Sequence, residues 1–231
     1  MPALDRLPQA VIFDMDGLML DTERLAVPAW QDAKDATGID FDMSLLDAMV
    51  GRNYQDCRAM IVARHGDAFP TDRLMEAWHV AYDAIVERDG LVMKPGVHEL
   101  IDWLDARGIV RAVATSTRRD RAHAKLTRTA LLPRFAALVG GDEIARGKPA
   151  PDIYFEAARR LGAAPARCVV LEDSEPGVRG ALAAGMMPIM VPDLLPPTAE
   201  LLAFGLVVHA SLHEVAGAFA RLEAQVRPPG R

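Results

Sequence analysis

The chain has 231 residues, of which 51% are hydrophobic and 25% are charged, so it can form one large globular domain or a core domain with a smaller insert. Its net charge of -6 provides no basic field for a phosphate backbone, which favours a small polar substrate over nucleic acid. The two cysteines, Cys57 and Cys168, lie far apart and outside any His/Cys cluster, so neither a disulfide framework nor a zinc site is indicated.

Signals for export or membrane insertion are not apparent in the sequence. The first ten residues lack a basic stretch followed by an apolar one. No apolar run approaches the ~20 residues that are needed to span a bilayer. We therefore expect a cytoplasmic protein with no membrane partner and no obligate protein partner.

The first predicted element is a buried strand, QAVIFD, which ends in the pair Asp14 and Asp16. Helical periodicities then follow one another without an intervening strand, over residues 23–37, 44–50, 54–65 and 71–88. Glycine, proline and aspartate residues mark the two ends of this segment, at 17–21 and 89–96. The pattern predicts an all-helical insert placed directly after the first strand.

From about residue 91 onward, strands alternate with helices. The predicted strands are IVRAVAT, FAALVGG, RCVVLED, MPIMVPD and GLVVHA, and helical patterns follow them near residues 120, 152, 176, 198 and 212. This alternation indicates βαβ crossovers, and hence a parallel sheet with helices on both faces. The predicted fold class is α/β: a doubly wound, Rossmann-like core from residues 1–18 and 92–231, with a helical cap domain over residues 19–91.

Polar side chains follow several predicted strands at the point where each apolar run ends. They are Asp14, Asp16, Thr115, Ser116, Glu172 and Asp173, with Lys148 in the loop after the third strand. In open parallel sheets, ligands bind beyond the carboxyl ends of the strands. Carboxylates crowded at that edge require a cation, and hard oxygen ligands with room for water suit Mg²⁺. The lysine and the hydroxyls predict an anion beside the metal, and a phosphate fits both.

The motifs DMDG, ATST, GKPAPD and LEDSEPGV, in this order and spacing, resemble the four motifs of the haloacid dehalogenase (HAD) superfamily. The helical insert after the first motif resembles the cap of the branch that includes phosphoglycolate phosphatase, sugar-phosphate phosphatases and β-phosphoglucomutase. The resemblance extends over nearly the whole chain. It implies an enzyme that transfers phosphoryl groups with Mg²⁺ as its cofactor.

The resemblance also implies a role for each motif residue. Asp14 is expected to be the nucleophile, Asp16 the general acid and base, and Lys148 the charge partner of Asp14 and of the phosphate. Thr115 is expected to bind the phosphate, and Ser116 belongs to the same substrate-binding motif. Relatives use a cis bond before the motif proline, so we expect Lys148-Pro149 to be cis. The implied magnesium site consists of Asp14, the main-chain carbonyl of Asp16, Asp173 and, through the outer shell, Glu172.

Elementary chemistry agrees with these expected roles. An aspartate attacks phosphorus effectively only when the charge of the phosphoryl oxygens is neutralised, which Mg²⁺ and Lys148 can do. Asp16 can protonate the leaving oxygen and later deprotonate the water that hydrolyses the aspartyl-phosphate. We therefore expect a Mg²⁺-dependent phosphatase that hydrolyses small phosphomonoesters, of sugars or small alcohols, through an aspartyl-phosphate intermediate.

Two other functions remain open. In a β-phosphoglucomutase-like phosphosugar mutase, a cap histidine would stand at Ala26 and a cap arginine at Tyr54, when the chains are aligned on Gly51. A mutase needs extra cap contacts to protect its phosphoenzyme from water, so the phosphatase is favoured. A phosphate-sensing regulatory module would be favoured only if one of the catalytic acids were replaced.

The cap is expected to select the substrate. Glu23 and Arg52 are candidate substrate contacts, and a solvated helix surface is the competing interpretation for both. The histidines, His79 among them, show no metal spacing and are expected to be surface or core residues. Trp30, Trp78 and Trp103 lie in amphipathic patterns and are expected to pack in hydrophobic cores.

Overall fold

The structure, a computed structural model, describes residues 6–226. Six strands form one parallel sheet in the order β3-β2-β1-β4-β5-β6. Their bounds are β1 Ala10–Phe13, β2 Val110–Ala114, β3 Ala137–Val139, β4 Cys168–Glu172, β5 Met187–Met190 and β6 Val207–Val208. The chain winds outward from β1 in both directions, which confirms the predicted doubly wound sheet.

Helices cover the sheet and form the insert. Between β1 and β2 lie α1 Glu23–Thr37, α2 Leu46–Met49, α3 Tyr54–His65, α4 Thr71–Asp89 and α5 Val97–Asp105. After β2 come α6 Arg119–Arg128, α7 Asp152–Leu161, α8 Glu175–Ala183, α9 Ala199–Ala203 and α10 Leu212–Val226. Each predicted core helix therefore begins within one residue of its predicted start. The helix predicted over 44–50 is instead a 3₁₀ turn, Met43–Leu45, followed by the single turn of α2.

The sequence prediction did not include α5. Its buried residues, Val97, Leu100, Ile101 and Leu104, follow the spacing of one helical face, so the signal was present in the sequence. The helix lies directly after the expected hinge and packs against α10. It thereby covers the sheet before the chain enters β2.

Alternate side chains of β1 belong to different hydrophobic clusters. Val11 and Phe13 lie in a cluster with residues of α5 and α10, whereas Ala10 and Ile12 lie in a cluster with residues of α7 and α8. All four side chains are fully buried. A parallel sheet covered on both faces requires this continuous apolar character, because successive side chains point to opposite faces.

The inserted helices have hydrophobic clusters of their own. Trp30 of α1 stacks on Phe41 and on Trp78 of α4, with ring centroids 4.9 and 5.3 Å apart. Both tryptophans therefore pack among the inserted helices, and Trp103 packs on Phe219 in the core, in line with the predicted packing role. The division into a core and a cap at residues 19–91 stays a prediction, and the separate clusters support it. Within residues 6–226, no helix combines the length and the apolar character needed to cross a bilayer.

Candidate active site

Lys148 lies buried between two carboxylates at the carboxyl edge of the sheet. Its Nζ atom donates hydrogen bonds to Asp14 Oδ1 and to Glu172 Oε1, both at 2.5 Å, and to the Ala114 carbonyl at 3.1 Å. Only 1% of Lys148 is exposed, so its charge depends on these partners. Burial acts against the ammonium, but the two carboxylates keep the pKa of Lys148 above its ordinary value. The Lys148-Pro149 bond is cis, as predicted.

Glu172, the second carboxylate beside Lys148, accepts several hydrogen bonds. Its fully buried carboxylate accepts hydrogen bonds from the Tyr154 hydroxyl at 2.7 Å and the Ser174 hydroxyl at 3.0 Å, besides the one from Lys148. The observed contacts of Glu172 thus orient Lys148 and the end of β4. Its expected outer-shell role toward a metal stays a prediction. Sequence reasoning missed Tyr154, because nothing in its local pattern distinguishes it from other apolar positions of α7.

Asp14 and Asp173 lie at the ends of the neighbouring strands β1 and β4. Burial raises the pKa of Asp14 to about 8, although Lys148 acts in the opposite direction. Burial and then the charge of Asp14 raise the pKa of Asp173 well above its usual range. Gly17, with φ +81°, leaves space for the Asp173 carboxylate, because a Cβ at this position would collide with it. The single charge of Lys148 therefore does not compensate the carboxyls of Asp14, Glu172 and Asp173 together.

A divalent cation would supply that charge. Among residues 6–226, no group of three or more His, Cys, Asp or Glu side chains is arranged to hold a metal, so side chains alone do not complete a coordination sphere. Mg²⁺ typically binds one or two carboxylates and keeps several waters. Asp14, Asp173 and the main-chain carbonyl of Asp16 are oxygen donors of this kind, so the residues present fit the ion.

Asp16, two residues after Asp14, is held by a different set of partners. Its Oδ1 accepts hydrogen bonds from Lys125 Nζ at 2.6 Å and Thr22 Oγ1 at 2.8 Å, and its Oδ2 accepts one from Thr117 Oγ1 at 2.7 Å. The Thr115 hydroxyl lies 3.4 Å from the same Oδ2. Burial works against the charged form, but Lys125 and the hydrogen bonds from Thr117 and Thr22 together lower the pKa of Asp16. In this conformation Asp16 is an ionised carboxylate.

Sequence reasoning missed Lys125. It lies on α6, which begins shortly after the Thr115 motif, and it is four residues beyond Arg121, so both side chains share one helix face. Helical spacing directly after a motif strand was the signal that could have identified it. Its Nζ also lies 5.0 Å from the ring centroid of Tyr82 in α4, so one lysine contacts both the motif edge and the inserted helices.

A cavity of about 210 Å³ lies between the sheet edge and the inserted helices. Six of the predicted site residues line it: Asp14, Asp16, Glu23, Arg52, Thr115 and Ser116. Lys148 instead lines a neighbouring groove, and neither Glu172 nor Asp173 is part of the cavity wall. The structure therefore brings the expected nucleophile, acid and cap contacts to one space.

The three remaining candidates have the following contacts. The Ser116 hydroxyl donates to the Gly51 carbonyl at 2.8 Å and so connects the sheet edge to the inserted helices. Arg52 Nε donates to the Ala48 carbonyl at 2.9 Å. Burial and then the charge of Asp16 raise the pKa of Glu23 to about 7. Their roles toward a substrate stay predictions.

Comparison with known proteins identifies the family. The model of the haloacid dehalogenase-like hydrolases matches residues 8–185. The chain belongs to this family. It is 33% identical to Protein CbbY of Rhodobacter capsulatus over 202 residues, covering 80% of this chain and 85% of that protein.

Two further relatives of this HAD hydrolase extend the comparison. The fructose-1-phosphate phosphatase YqaB of Escherichia coli is 32% identical over 177 residues, which cover 76% of this chain and 92% of that protein. A putative β-phosphoglucomutase structure from Thermotoga maritima superposes with a TM-score of 0.72 at 29% identity, covering 92% of this chain and 98% of that one. The HAD family, predicted from the four motifs, is thus confirmed.

The ion pair of Lys125 in this HAD hydrolase can be tested by a double-mutant cycle. Lys125→Met is expected to lower the free energy of unfolding by about 2–3 kcal/mol, because it leaves a partly buried carboxylate without its cation. In an Asp16→Asn background the loss should be much smaller, since no ionised partner remains. Urea denaturation measures both values. Arg128→Met, at an exposed pair on the same helix, is the control and should change stability little. Equal losses in both backgrounds would contradict the pairing.

Proposed function

We propose that this HAD hydrolase is a Mg²⁺-dependent phosphatase that acts on a small phosphorylated metabolite, a sugar or small-alcohol phosphate, through an aspartyl-phosphate on Asp14. One observation carries the proposal. Asp14 is buried at the end of β1, bonded to Lys148, and opens on the same cavity as Asp16. A nucleophile beside a cation, with a proton-transfer group two residues away, suits attack on phosphorus.

In the first chemical step, a carboxylate oxygen of Asp14 forms a bond to phosphorus while the bond from phosphorus to the leaving oxygen breaks. Lys148 stabilises the charge on the phosphoryl group, and Asp16 gives a proton to the leaving oxygen. Bound Mg²⁺, held by Asp14, Asp173 and the Asp16 carbonyl, would supply further charge neutralisation. Because Asp16 is ionised and held by Lys125 here, it must leave that contact and take up a proton before this step.

In the second step, water attacks the phosphorus of the aspartyl-phosphate. Asp16, now a carboxylate, removes the proton from this water, inorganic phosphate leaves, and the Asp14 carboxylate is restored. The same carboxyl therefore serves as acid and then as base. The Escherichia coli relative is named a fructose-1-phosphate phosphatase, which supports the sugar-phosphate class of substrate.

The nucleophile and the metal can be tested together. Asp14→Asn should bring phosphate release close to background while the fold persists, because no attacking carboxylate remains. Chelation of Mg²⁺ should also bring phosphate release by the unmodified enzyme close to background, and added Mg²⁺ should restore this release. The measurement is phosphate release from a panel of phosphomonoesters. Asp32→Asn, an exposed change on α1, is the matched control and should retain full activity. Full turnover by Asp14→Asn, or in chelator, would overturn the mechanism.

The mutase is the second candidate, favoured by the similarity to a structure described as a putative β-phosphoglucomutase. Ala26 and Tyr54, the positions at which the mutase would have a histidine and an arginine, both line the cavity. Without those charged groups, water should reach the phosphoenzyme before a second sugar hydroxyl does. With β-glucose 1-phosphate and Mg²⁺, free phosphate should therefore accumulate faster than glucose 6-phosphate. Predominant glucose 6-phosphate would identify a mutase instead.

A further inference from the structure

The cap side of the cavity is lined by rings. The sheet side presents carboxylates, hydroxyls and basic groups, whereas the cap presents five rings and apolar side chains such as Met49 and Met75, together with the charged residues Glu23, Asp47 and Arg52. The rings belong to Trp30, Tyr54, Trp78, His79 and Tyr82. The sequence analysis assigned Trp30 and Trp78 to core packing and His79 to the surface or the core, so it did not foresee that these side chains also form a cavity wall.

The rings of this aromatic wall hold one another in place. Trp78 lies 5.3 Å from Trp30, 4.9 Å from His79 and 5.3 Å from Tyr82, measured between ring centroids. Tyr54 stacks on His79 with an interplanar angle of 12°. A surface fixed by such contacts loses little conformational freedom when a ligand binds, so it is pre-organised for a flat apolar group.

A polyol fits this wall poorly. Each sugar hydroxyl that is turned toward the flat faces of the rings would leave water without gaining a hydrogen-bond partner, which disfavours binding there. A flat ring in the leaving group would instead bury apolar surface against the wall. The cavity volume of about 210 Å³ exceeds the about 150 Å³ that is known to admit benzene in an apolar protein cavity, so one ring fits.

Tyr54 and Tyr82 carry hydroxyls on their rings, and His79 adds a ring nitrogen to the polar atoms of the wall. Its Nδ1 is buried and has no hydrogen-bond partner among residues 6–226. Burial and then the charge of Arg121 lower the pKa of His79 to about 4, so the imidazole is uncharged at neutral pH. Buried polar atoms without partners are uncommon in native proteins, and a ligand atom can satisfy this one.

We propose that the aromatic wall binds the leaving group of the substrate, and that this group carries a single aromatic or heteroaromatic ring with a polar atom that pairs with His79. The inference rests on the proposed phosphatase activity and narrows its substrate class. The phosphoryl group lies at Asp14, and the ring lies against Trp78 and Tyr54. His79 is thus a residue that determines specificity, and it takes no part in phosphoryl transfer.

Turnover by the unmodified enzyme provides the first test. Benzyl phosphate is compared with glycerol 3-phosphate, a polyol ester, and with cyclohexylmethyl phosphate, which is apolar but not flat. The kcat/KM for benzyl phosphate should exceed both by about tenfold, as expected for stacking on fixed rings. Equal values for benzyl and cyclohexylmethyl phosphate, or a preference for glycerol 3-phosphate, would overturn the inference while leaving the phosphatase proposal intact.

Binding to the Asp14→Asn protein tests the inference without turnover. Quenching of tryptophan fluorescence reports the cavity through Trp30 and Trp78, in a Trp103→Phe background that removes a distant fluorophore. Benzyl phosphate should bind about tenfold more tightly than glycerol 3-phosphate, and Tyr54→Leu should reduce that ratio. If no ester is hydrolysed but benzyl phosphate still binds about tenfold more tightly, the proposed phosphatase activity is wrong and the binding of a ring at the aromatic wall is supported. Equal affinities for benzyl phosphate and glycerol 3-phosphate would show that the aromatic wall does not select a ring.

The three pyridylmethyl phosphates test the part assigned to His79. One isomer should bind the Asp14→Asn protein about fivefold more tightly than benzyl phosphate, because its ring nitrogen can accept a hydrogen bond from the Nδ1–H of His79. His79→Phe keeps a ring at this position but removes that partner, so it should abolish the gain of this isomer over benzyl phosphate. If no isomer gains affinity, or if the gain survives in His79→Phe, the role of His79 is wrong.

Discussion

The buried charge of Lys148 is the constraint on which the rest of the site depends. An ammonium that is 1% exposed is stable only with partners, and Asp14 and Glu172 supply them from two neighbouring strands. Asp173 adds a further carboxyl at the same edge, so negative charge exceeds positive charge there. A site of this kind is suited to receive a metal ion and then a phosphoryl group. An apolar ligand would not neutralise the excess negative charge.

Asp16 couples this edge to the inserted helices. Its carboxylate is bonded to Thr22, just before α1, and to Lys125, whose ammonium also lies beside Tyr82 of α4. A movement of the inserted helices would therefore alter the contacts of Asp16, the residue proposed to transfer protons. The same helices provide the aromatic wall, so the elements proposed to select the leaving group also contact the proposed acid and base.

Much of this arrangement is local in sequence and could be predicted. Strand β1 is a continuous apolar run, and the parallel topology alone brings Asp14, Thr115 and Asp173 to one edge. Other features depend on tertiary contacts. Lys125 meets Asp16 across 109 positions of the chain, and the orientation of His79 toward a cavity depends on how α4 packs on α1. Helix α5 is different, because its spacing was visible and was overlooked.

If the phosphoryl group passes through a covalent bond to Asp14, the aspartyl-phosphate can be trapped by chemical reduction. Acetyl phosphate, a small donor with no ring to recognise, is mixed with the enzyme and Mg²⁺, quenched in acid during turnover, and reduced with borohydride. Reduction converts an aspartyl-phosphate to homoserine, which peptide mass spectrometry locates. We expect homoserine at position 14, and none in the Asp14→Asn protein. Rapid turnover with an unmodified Asp14, or with the modification at another residue, would contradict it.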